Sequence, residues 1–200
     1  MTATLERYRP PAMEARETTL PDALLIVTTV HGDERGFFQE TYRRERFESF
    51  AVPDEFVQHN QSRSSRGVLR GMHLQIGEGI SKLVRCARGE IRDVILDVRR
   101  GSPTYGRWEA FTLDDRLHHQ LYVPVGFAHG FCVVSEVADV VYQQSSYYEP
   151  LLERTVAFDD PDIGIEWPAF DAFTVSERDR TAPSLRELAD DLPFVYASRR

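Results

Sequence analysis

Two short segments of the sequence contain residue types that can transfer protons. The first is Gly67-Val-Leu-Arg-Gly-Met-His73-Leu-Gln75, and the second is Pro124-Val-Gly-Phe-Ala-His129. A neutral imidazole is the usual general base near pH 7, so His73 is predicted to remove a proton from a substrate carbon. That carbon must lie next to a carbonyl, because the negative charge can then move onto an oxygen that a cation or hydrogen-bond donor stabilises.

Two cationic side chains lie close to His73 in the sequence. Arg70 precedes it by three residues, and Lys82 is the only lysine in a chain with 24 basic residues. The compact ammonium of Lys82 suits a single oxygen better than a forked guanidinium does, so we expect Lys82 to stabilise an enolate. Strand alternation alone would place Arg70 and His73 on opposite faces. We therefore expect a β-bulge at Gly71 that turns both side chains inward.

The same two segments resemble the paired motifs of cupin barrels, which often bind a metal ion. A metal-binding cupin has a second histidine where this chain has Gln75, and a glutamate shortly after it. Here the nearest acid, Glu78, lies in a loop flanked by glycines. Two imidazoles and one amide are a poor set for a transition metal, which normally takes three or four ligands. We predict no metal and no cofactor, and acid–base catalysis by side chains alone.

A second proton carrier on the other side of the substrate would make such a site an epimerase. Tyr142 ends a predicted strand with Ala138 and Val140 on its own face, which places it at the mouth of a barrel. A phenol can deliver a proton to a carbanion and then regain one, although packing within the strand is the alternative role for Tyr142.

The side chains above must be positioned by a β-rich domain. Short runs of β-forming residues, separated by turn signals, dominate the chain from residue 23 to residue 148. The tripeptide Arg88-Gly89-Glu90 predicts a tight hairpin. We predict an all-β fold, a cupin or jelly-roll antiparallel barrel with a few short helices. The predicted strands are Leu24–Val30, Phe37–Tyr42, Val68–Gln75, Leu83–Ala87, Ile91–Val98, Trp108–Leu113, Gln120–Val123 and Phe131–Tyr142.

Helices are predicted at three places outside these strands. Residues Arg43–Phe50 are charged and helical in pattern, Ser176–Arg180 could form one turn, and Ser184 starts a capping box with Glu187. We expect residues 1–200 to form a single domain. Within it, residues 1–12 are predicted to be a flexible tail, and residues 169–200 a C-terminal extension packed on the barrel.

Composition excludes several classes of partner. The formal net charge is -8, which argues against nucleic acid or an anionic membrane surface as the main partner. No apolar run approaches the roughly 20 residues of a membrane span, and the first 11 residues have no apolar signal core, so we expect a cytoplasmic protein. Cys86 and Cys132 lie in apolar strands and are expected to be buried free thiols.

From about Asp22 to Pro183 the chain resembles the dTDP-4-dehydrorhamnose 3,5-epimerase family. Seven blocks carry the resemblance, and they follow one another in the order typical of the family. They are Asp33-Glu-Arg-Gly-Phe-Phe38, Phe56-Val-Gln58, Gly67-Val-Leu-Arg-Gly71, Lys82-Leu-Val-Arg85, Gly101-Ser-Pro-Thr-Tyr-Gly106, Pro124-Val-Gly-Phe-Ala-His-Gly-Phe131 and Asp160-Pro-Asp-Ile-Gly-Ile-Glu-Trp-Pro168.

The resemblance implies an isomerase that epimerises a dTDP-4-keto-6-deoxyhexose at C3 and C5. It implies that His73 is the base with Asp179 as its carboxylate partner, that Tyr142 is the acid, and that Lys82 lies by the ketone. It also implies a homodimer with exchanged strands. The positions that match substrate contacts are Arg35, Phe38, Glu40, Gln58, Asn60, Arg70, His129, Tyr148, Glu153 and Arg178.

Several alternatives stay open on the sequence. The protein could epimerise only C3 or only C5 in an antibiotic-sugar pathway, or bind a nucleotide sugar without turnover; a 3,4-ketoisomerase matches the seven blocks less well. Asp179 follows Ser176 at helix-capping spacing, so a capping role competes with that of a partner for His73. His129 could contact substrate or simply support the barrel wall. The chain departs from the family pattern at His59, His118, His119, Tyr122 and Gln143.

Overall fold

A computed structural model describes residues 13–52 and 55–197 of the chain. The predicted tail, residues 1–12, lies outside them. Over the described residues the chain forms strands β1 (Met13–Glu17), β2 (Leu24–Thr28), β3 (Val30–Asp33), β4 (Gly36–Gln39), β5 (Gln58–Ser65), β6 (Leu69–Gln75), β7 (Lys82–Arg88), β8 (Glu90–Asp97), β9 (Trp108–Asp114), β10 (Gln120–Val123), β11 (Phe127–Val133), β12 (Val137–Gln144) and β13 (Glu153–Thr155). Its helices are α1 (Arg44–Ser49), α2 (Glu177–Arg180) and α3 (Leu185–Leu188).

The strands form two large sheets and one separate hairpin. The six-stranded sheet has the order β1-β2-β10-β7-β12-β5, and the five-stranded sheet has the order β13-β6-β11-β8-β9. Strands β3 and β4 pair only with each other. Every pair of neighbouring strands is antiparallel. The predicted all-β antiparallel fold is confirmed.

The hydrophobic core lies between the inner faces of the two large sheets. Val84 and Val140 extend into it from the six-stranded sheet, and Ile91, Ile95 and Phe131 from the five-stranded sheet. Alternate residues along each strand point to this core, as the period of two in a strand requires. Both cysteines are buried and free, as predicted.

The outer faces of both sheets are covered by short helices and loops. Phe47 of α1 packs on Ile26 and Leu83, on the outside of the six-stranded sheet. On the other side, Leu185 of α3 and Phe194 belong to the cluster that covers the five-stranded sheet. Among the described residues no helix is long and apolar enough to cross a membrane.

Several strand predictions were wrong, and β1, β3 and β13 were not predicted. Residues Phe131–Tyr142 form parts of two strands, β11 and β12, because Ser135 makes a turn between them. Its hydroxyl donates to the carbonyl of Val137 and accepts from the backbone N–H of Glu90. Strand β5 was missed because Gln58-His-Asn-Gln-Ser-Arg-Ser-Ser65 has no hydrophobic residue, and the hydrophobic pattern is the main sequence signal for a strand.

The predicted β-bulge at Gly71 is confirmed. His73 pairs with His129 and Arg70 pairs with Phe131, so β6 has one residue more than β11 between the two pairs. The extra residue reverses the alternation, and both Arg70 and His73 line the same cavity.

Glycine is required at the bulge where β6 and β11 lie side by side. Gly71 has a φ of 147°, and a Cβ atom placed on it would lie 2.5 Å from the Cα of Gly130. A Cβ on Gly130 would in turn lie 2.9 Å from the carbonyl oxygen of Arg70. Both obstacles are backbone atoms, which cannot move aside as a flexible side chain could.

The substitution Gly71→Ala is expected to destabilise the protein. Backbone strain and the clash with Gly130 together should cost at least about 2 kcal/mol, or a fall in Tm of roughly 4 °C or more. The matched control is Gly32→Ala on the exposed strand β3, where the nearest atom to the new Cβ is 3.7 Å away. Thermal unfolding followed by circular dichroism measures the Tm of both variants. An unchanged Tm for Gly71→Ala would show that the bulge between β6 and β11 tolerates a side chain.

Candidate active site

A cavity of about 300 Å³ lies between the inner faces of the two large sheets. It gathers ten of the fourteen site residues predicted from the sequence. Its lining residues are Gln58, Asn60, Ser62, Arg70, His73, Leu74, Gln75, Ile80, Lys82, His129, Phe131, Tyr142, Gln144, Tyr148, Glu153 and Arg178.

The six-stranded sheet supplies one wall of the cavity. Tyr142 and Gln144 are two residues apart on β12 and therefore share a face. In the strand register Gln144 lies opposite Lys82 of β7, and Tyr142 lies opposite Asn60 of β5. With Gln58 of β5, the wall presents a phenol, an ammonium and three amides to the cavity.

The five-stranded sheet supplies the facing wall. His73 of β6 lies directly opposite His129 of β11 in the strand register, and Glu153 of β13 lies opposite Gln75. This wall therefore presents two imidazoles and a carboxylate, and they face the phenol of the other sheet across the cavity.

His73 forms a hydrogen-bonded pair with a buried carboxylate. Its Nε2 lies 2.7 Å from Oδ1 of Asp179, which is only 3% exposed. The backbone N–H of Gly71 points to Oδ2 of the same carboxylate at 3.5 Å. Among the described residues the other ring nitrogen of His73, Nδ1, has no hydrogen-bond partner, so it can accept a proton from a substrate.

The helix α2 fixes the position of Asp179. Ser176 caps this helix, and its hydroxyl accepts the backbone N–H of Asp179 at 3.1 Å. This hydrogen bond uses the backbone of Asp179, while its carboxylate binds His73. Burial alone would raise the pKa of Asp179, but the hydrogen bond and the attraction of His73 outweigh burial and hold it below its usual range.

Lys82 lies beside the backbone of His73. Its Nζ donates to the carbonyl oxygen of His73 at 3.4 Å. Burial lowers the pKa of Lys82 to about 8, against the opposing attraction of Glu153 and Asp93. A cation that has lost water and has few hydrogen bonds binds strongly to an oxygen that gains negative charge.

Tyr142 has the properties of a neutral proton donor. Burial raises its pKa, and the nearby Arg70 only partly opposes that shift. Among the described residues its hydroxyl has no hydrogen-bond partner, so the phenol is protonated at neutral pH and open to the cavity.

A second histidine–carboxylate pair lies behind the cavity wall. Nε2 of His129 is 2.9 Å from Oδ2 of Asp93, and both residues are buried. Burial lowers the pKa of His129, although Asp93 opposes the shift. His129 therefore both lines the cavity and supports the wall.

Polar groups at the rim form a connected chain that reaches His73. The hydroxyl of Tyr148 donates to Oε2 of Glu153 at 2.6 Å, and Glu153 forms an ion pair with Arg178. Nη2 of Arg178 lies 3.3 Å from Nε2 of His73, a contact without a hydrogen bond, because the Nε2 proton points to Asp179. The chain places a guanidinium and an aromatic ring at the entrance, where a phosphorylated ligand would pass.

Four predicted site residues do not line the cavity: Asp179 binds His73 from behind, and the other three lie elsewhere in the chain. Arg35 is exposed and pairs with Asp33, and Phe38 is 65% exposed. Glu40 instead forms ion pairs with Arg43 and Arg46. All three belong to the β3–β4 hairpin or the residue after it, which pairs with neither large sheet.

Sequence reasoning missed several residues that line the cavity. Strand alternation could have found four of them, because each lies on a strand two residues from a predicted site residue. They are Ser62, Gln75, Phe131 and Gln144, which follow Asn60, His73, His129 and Tyr142. The remaining missed residues are Leu74 and Ile80.

The arrangement of possible metal ligands is relevant to the prediction that the protein holds no metal ion. The described residues contain no group of three or more His, Cys, Asp or Glu side chains placed to hold a metal ion. Metal content itself stays a prediction.

Comparison with known proteins links this site to a family. The sequence model of the dTDP-4-dehydrorhamnose 3,5-epimerases matches residues 17–187. The dTDP-4-dehydrorhamnose 3,5-epimerase of Pseudomonas aeruginosa is 44% identical over 182 residues, which cover 90% of this chain and 100% of that protein.

Solved structures give the same result. The dTDP-6-deoxy-D-glucose-3,5-epimerase of Legionella pneumophila, solved with dTDP-4-keto-L-rhamnose, superimposes with a TM-score of 0.91 at 38% identity and covers 94% of this chain and 100% of its own. A 3'-monoepimerase from Streptomyces bikiniensis, solved with dTDP-quinovose, gives 0.82 at 36% identity and covers 86% and 88%. This chain belongs to the dTDP-4-dehydrorhamnose 3,5-epimerase family.

Proposed function

We propose that this protein epimerises a dTDP-4-keto-6-deoxyhexose at C3 and C5, the reaction of a dTDP-4-dehydrorhamnose 3,5-epimerase. One observation carries the proposal: a histidine with a buried carboxylate partner and a neutral phenol extend from facing walls of a single cavity. An epimerase needs this arrangement, because the proton must leave one face of a carbon and return to the other.

The first step is removal of a proton from a carbon next to the 4-ketone. Nδ1 of His73 takes the proton, and the electron pair of the C–H bond forms an enolate. Asp179 holds the ring in place and stabilises the imidazolium that results, as a carboxylate partner of a histidine does. Positioned general acid–base catalysis of this kind contributes typically about 10²- to 10⁴-fold in rate.

The negative charge of the enolate lies mainly on the ketone oxygen. Lys82 is the proposed counter-charge, since its ammonium lines the cavity beside the backbone of the base. Its burial strengthens this interaction, because the effective dielectric constant is lower than in water.

The second step returns a proton from the opposite face. Tyr142 donates its phenolic proton to the carbon, which inverts the configuration. Solvent then reprotonates the tyrosinate and takes the proton from His73, so no net charge or electrons remain on the enzyme. The same two steps at the second carbon next to the ketone complete a double epimerisation.

The nucleotide part of the substrate is proposed to bind at the rim. Arg178 and Arg70 provide local positive charge for the diphosphate, although the protein as a whole has a net charge of -8. Tyr148 offers an aromatic face. Binding energy from this distant part of the substrate would position the sugar between His73 and Tyr142.

The position of the β3–β4 hairpin supports the predicted homodimer. Arg35 and Phe38 are exposed in a single chain, on a hairpin that is not part of either large sheet. We propose that the hairpin of one subunit enters the site of the other, where Arg35, Phe38 and Glu40 would contact substrate. A cytoplasmic location stays a prediction.

Deuterium incorporation distinguishes the candidate functions. In D₂O the wild-type protein, given dTDP-4-keto-6-deoxyglucose, is expected to label both C3 and C5, because each carbon loses and regains a proton. Proton NMR of the sugar measures the label. Deuterium at one of the two carbons alone would indicate a mono-epimerase, as in the Streptomyces bikiniensis relative, and no label would indicate a protein that only binds.

The pH dependence of kcat/KM should reveal Lys82. The pKa of about 8 belongs to the free protein, and the ammonium is lost as the pH rises through it. We expect kcat/KM to fall above pH 8 by about tenfold per pH unit. In Lys82→Arg the guanidinium stays charged, so the fall should move to higher pH. If kcat/KM of this variant still falls near pH 8, the fall belongs to the titration of another group.

Subunit mixing tests whether Arg35 acts in the partner's site. His73→Asn and Arg35→Ala are each expected to be poorly active alone. In a mixed dimer one site would hold both defects and the other would have neither. Random mixing makes half the dimers hybrid, so about a quarter of wild-type activity should return.

The matched control pairs His73→Asn with Lys82→Met, two residues that line the same cavity of one chain. Their hybrids should regain no activity, because every site then has one defect. If the mixture of His73→Asn with Arg35→Ala also regains no activity, Arg35 does not act across the dimer.

A further inference from the structure

The segment 145–149 crosses the rim of the cavity and contains Tyr148. Its first two residues are fixed to the loop before β7. The N–H of Ser145 donates to the carbonyl oxygen of Ser81 at 3.1 Å, and the hydroxyl of Ser146 donates to that of Gly79 at 3.2 Å. The rest of the segment has no regular secondary structure, so its shape depends on the side chains that bind it.

Gln75 binds this segment on both sides of Tyr148. Its Nε2 donates to the carbonyl oxygen of Tyr147 at 3.2 Å, and its Oε1 accepts the N–H of Glu149 at 2.9 Å. The side chain is buried, with 7% exposed. Both ends of the amide are thus engaged by backbone, although Gln75 lines the cavity.

Tyr148 itself is held from the opposite sheet. Its N–H donates to Oε1 of Gln58 on β5 at 2.9 Å, and its hydroxyl donates to Oε2 of Glu153. Glutamines from the two facing sheets therefore fix three consecutive residues, and the phenol ring lies between them at the entrance.

We propose that Gln75 is a positioning residue that holds Tyr147–Glu149 so that Tyr148 can bind the nucleotide sugar. The inference rests on the proposed function. The amide provides the donor and the acceptor that this position uses: a glutamate lacks the donor for the Tyr147 carbonyl, and an apolar residue lacks both groups.

The hydrogen bonds that position the base do not include Gln75. His73 is held by Asp179, which is fixed by Ser176 and Gly71. Loss of the Gln75 amide should therefore weaken substrate binding and leave proton transfer nearly intact, which is a split between KM and kcat.

The substitution Gln75→Met, which keeps the length of the side chain and removes both hydrogen bonds, tests the inference. We expect KM, and the Kd for dTDP measured by calorimetry, to rise about tenfold or more. We expect kcat to stay within about threefold of wild type. The matched control is Gln61→Met, on an exposed position of β5, which should change neither constant. A fall in kcat with unchanged KM would overturn the inference.

A double-mutant cycle shows whether Gln75 acts through Tyr148. If it does, Gln75→Met should add little to the effect of Tyr148→Ala on the Kd for dTDP. Fully additive effects would contradict the inference. The Kd does not depend on turnover, so these results stand apart from the deuterium labelling that tests the proposed function.

A measurement on the wild-type protein covers the case in which Gln75→Met fails to fold. The amide of Glu149 should exchange with solvent at least about tenfold more slowly than that of Leu151, whose side chain is 88% exposed. Equal exchange rates would show that Gln75 does not hold the segment.

Discussion

The hydrogen bond between His73 and Asp179 joins the parts of this protein that carry its chemistry. A buried carboxylate costs several kcal/mol unless it is paired, and Asp179 is almost fully buried. The pair therefore fixes α2 against β6 and at the same time orients the base. Because α2 also provides Arg178, the same contact places the guanidinium that reaches the rim. One interaction thus connects the C-terminal segment, the catalytic wall and the entrance.

The two-sheet architecture supplies the second requirement of an epimerase. A proton must be removed from one side of a carbon and returned to the other, so the acid and the base must face each other. Here the base belongs to the five-stranded sheet, and Tyr142 and Lys82 belong to the six-stranded sheet. The bulge at Gly71 makes this possible on β6, since it turns both Arg70 and His73 toward the cavity.

The sequence predicted most of this arrangement, and its failures have physical causes. Alternating hydrophobic residues identified most strands, but β5 was missed because its residues are polar on both faces. Local spacing cannot decide whether Asp179 caps a helix or binds His73, because the two residues are 106 positions apart in the sequence. Gln75 gave no chemical signal, because its role depends on the backbone of a distant segment. Arg35, Phe38 and Glu40 do not line the cavity of their own chain, because the β3–β4 hairpin belongs to neither large sheet.

The central claim is that His73 removes a proton from one face and Tyr142 returns one to the other. Proton NMR in D₂O of His73→Asn and Tyr142→Phe, given dTDP-4-keto-6-deoxyglucose, tests it most directly. With Tyr142→Phe, deuterium should still replace the protons beside the ketone in the recovered substrate, because His73 can return deuterium to the same face. This variant should form no inverted product. His73→Asn should lose both exchange and inversion. Exchange that persists in His73→Asn would contradict the account.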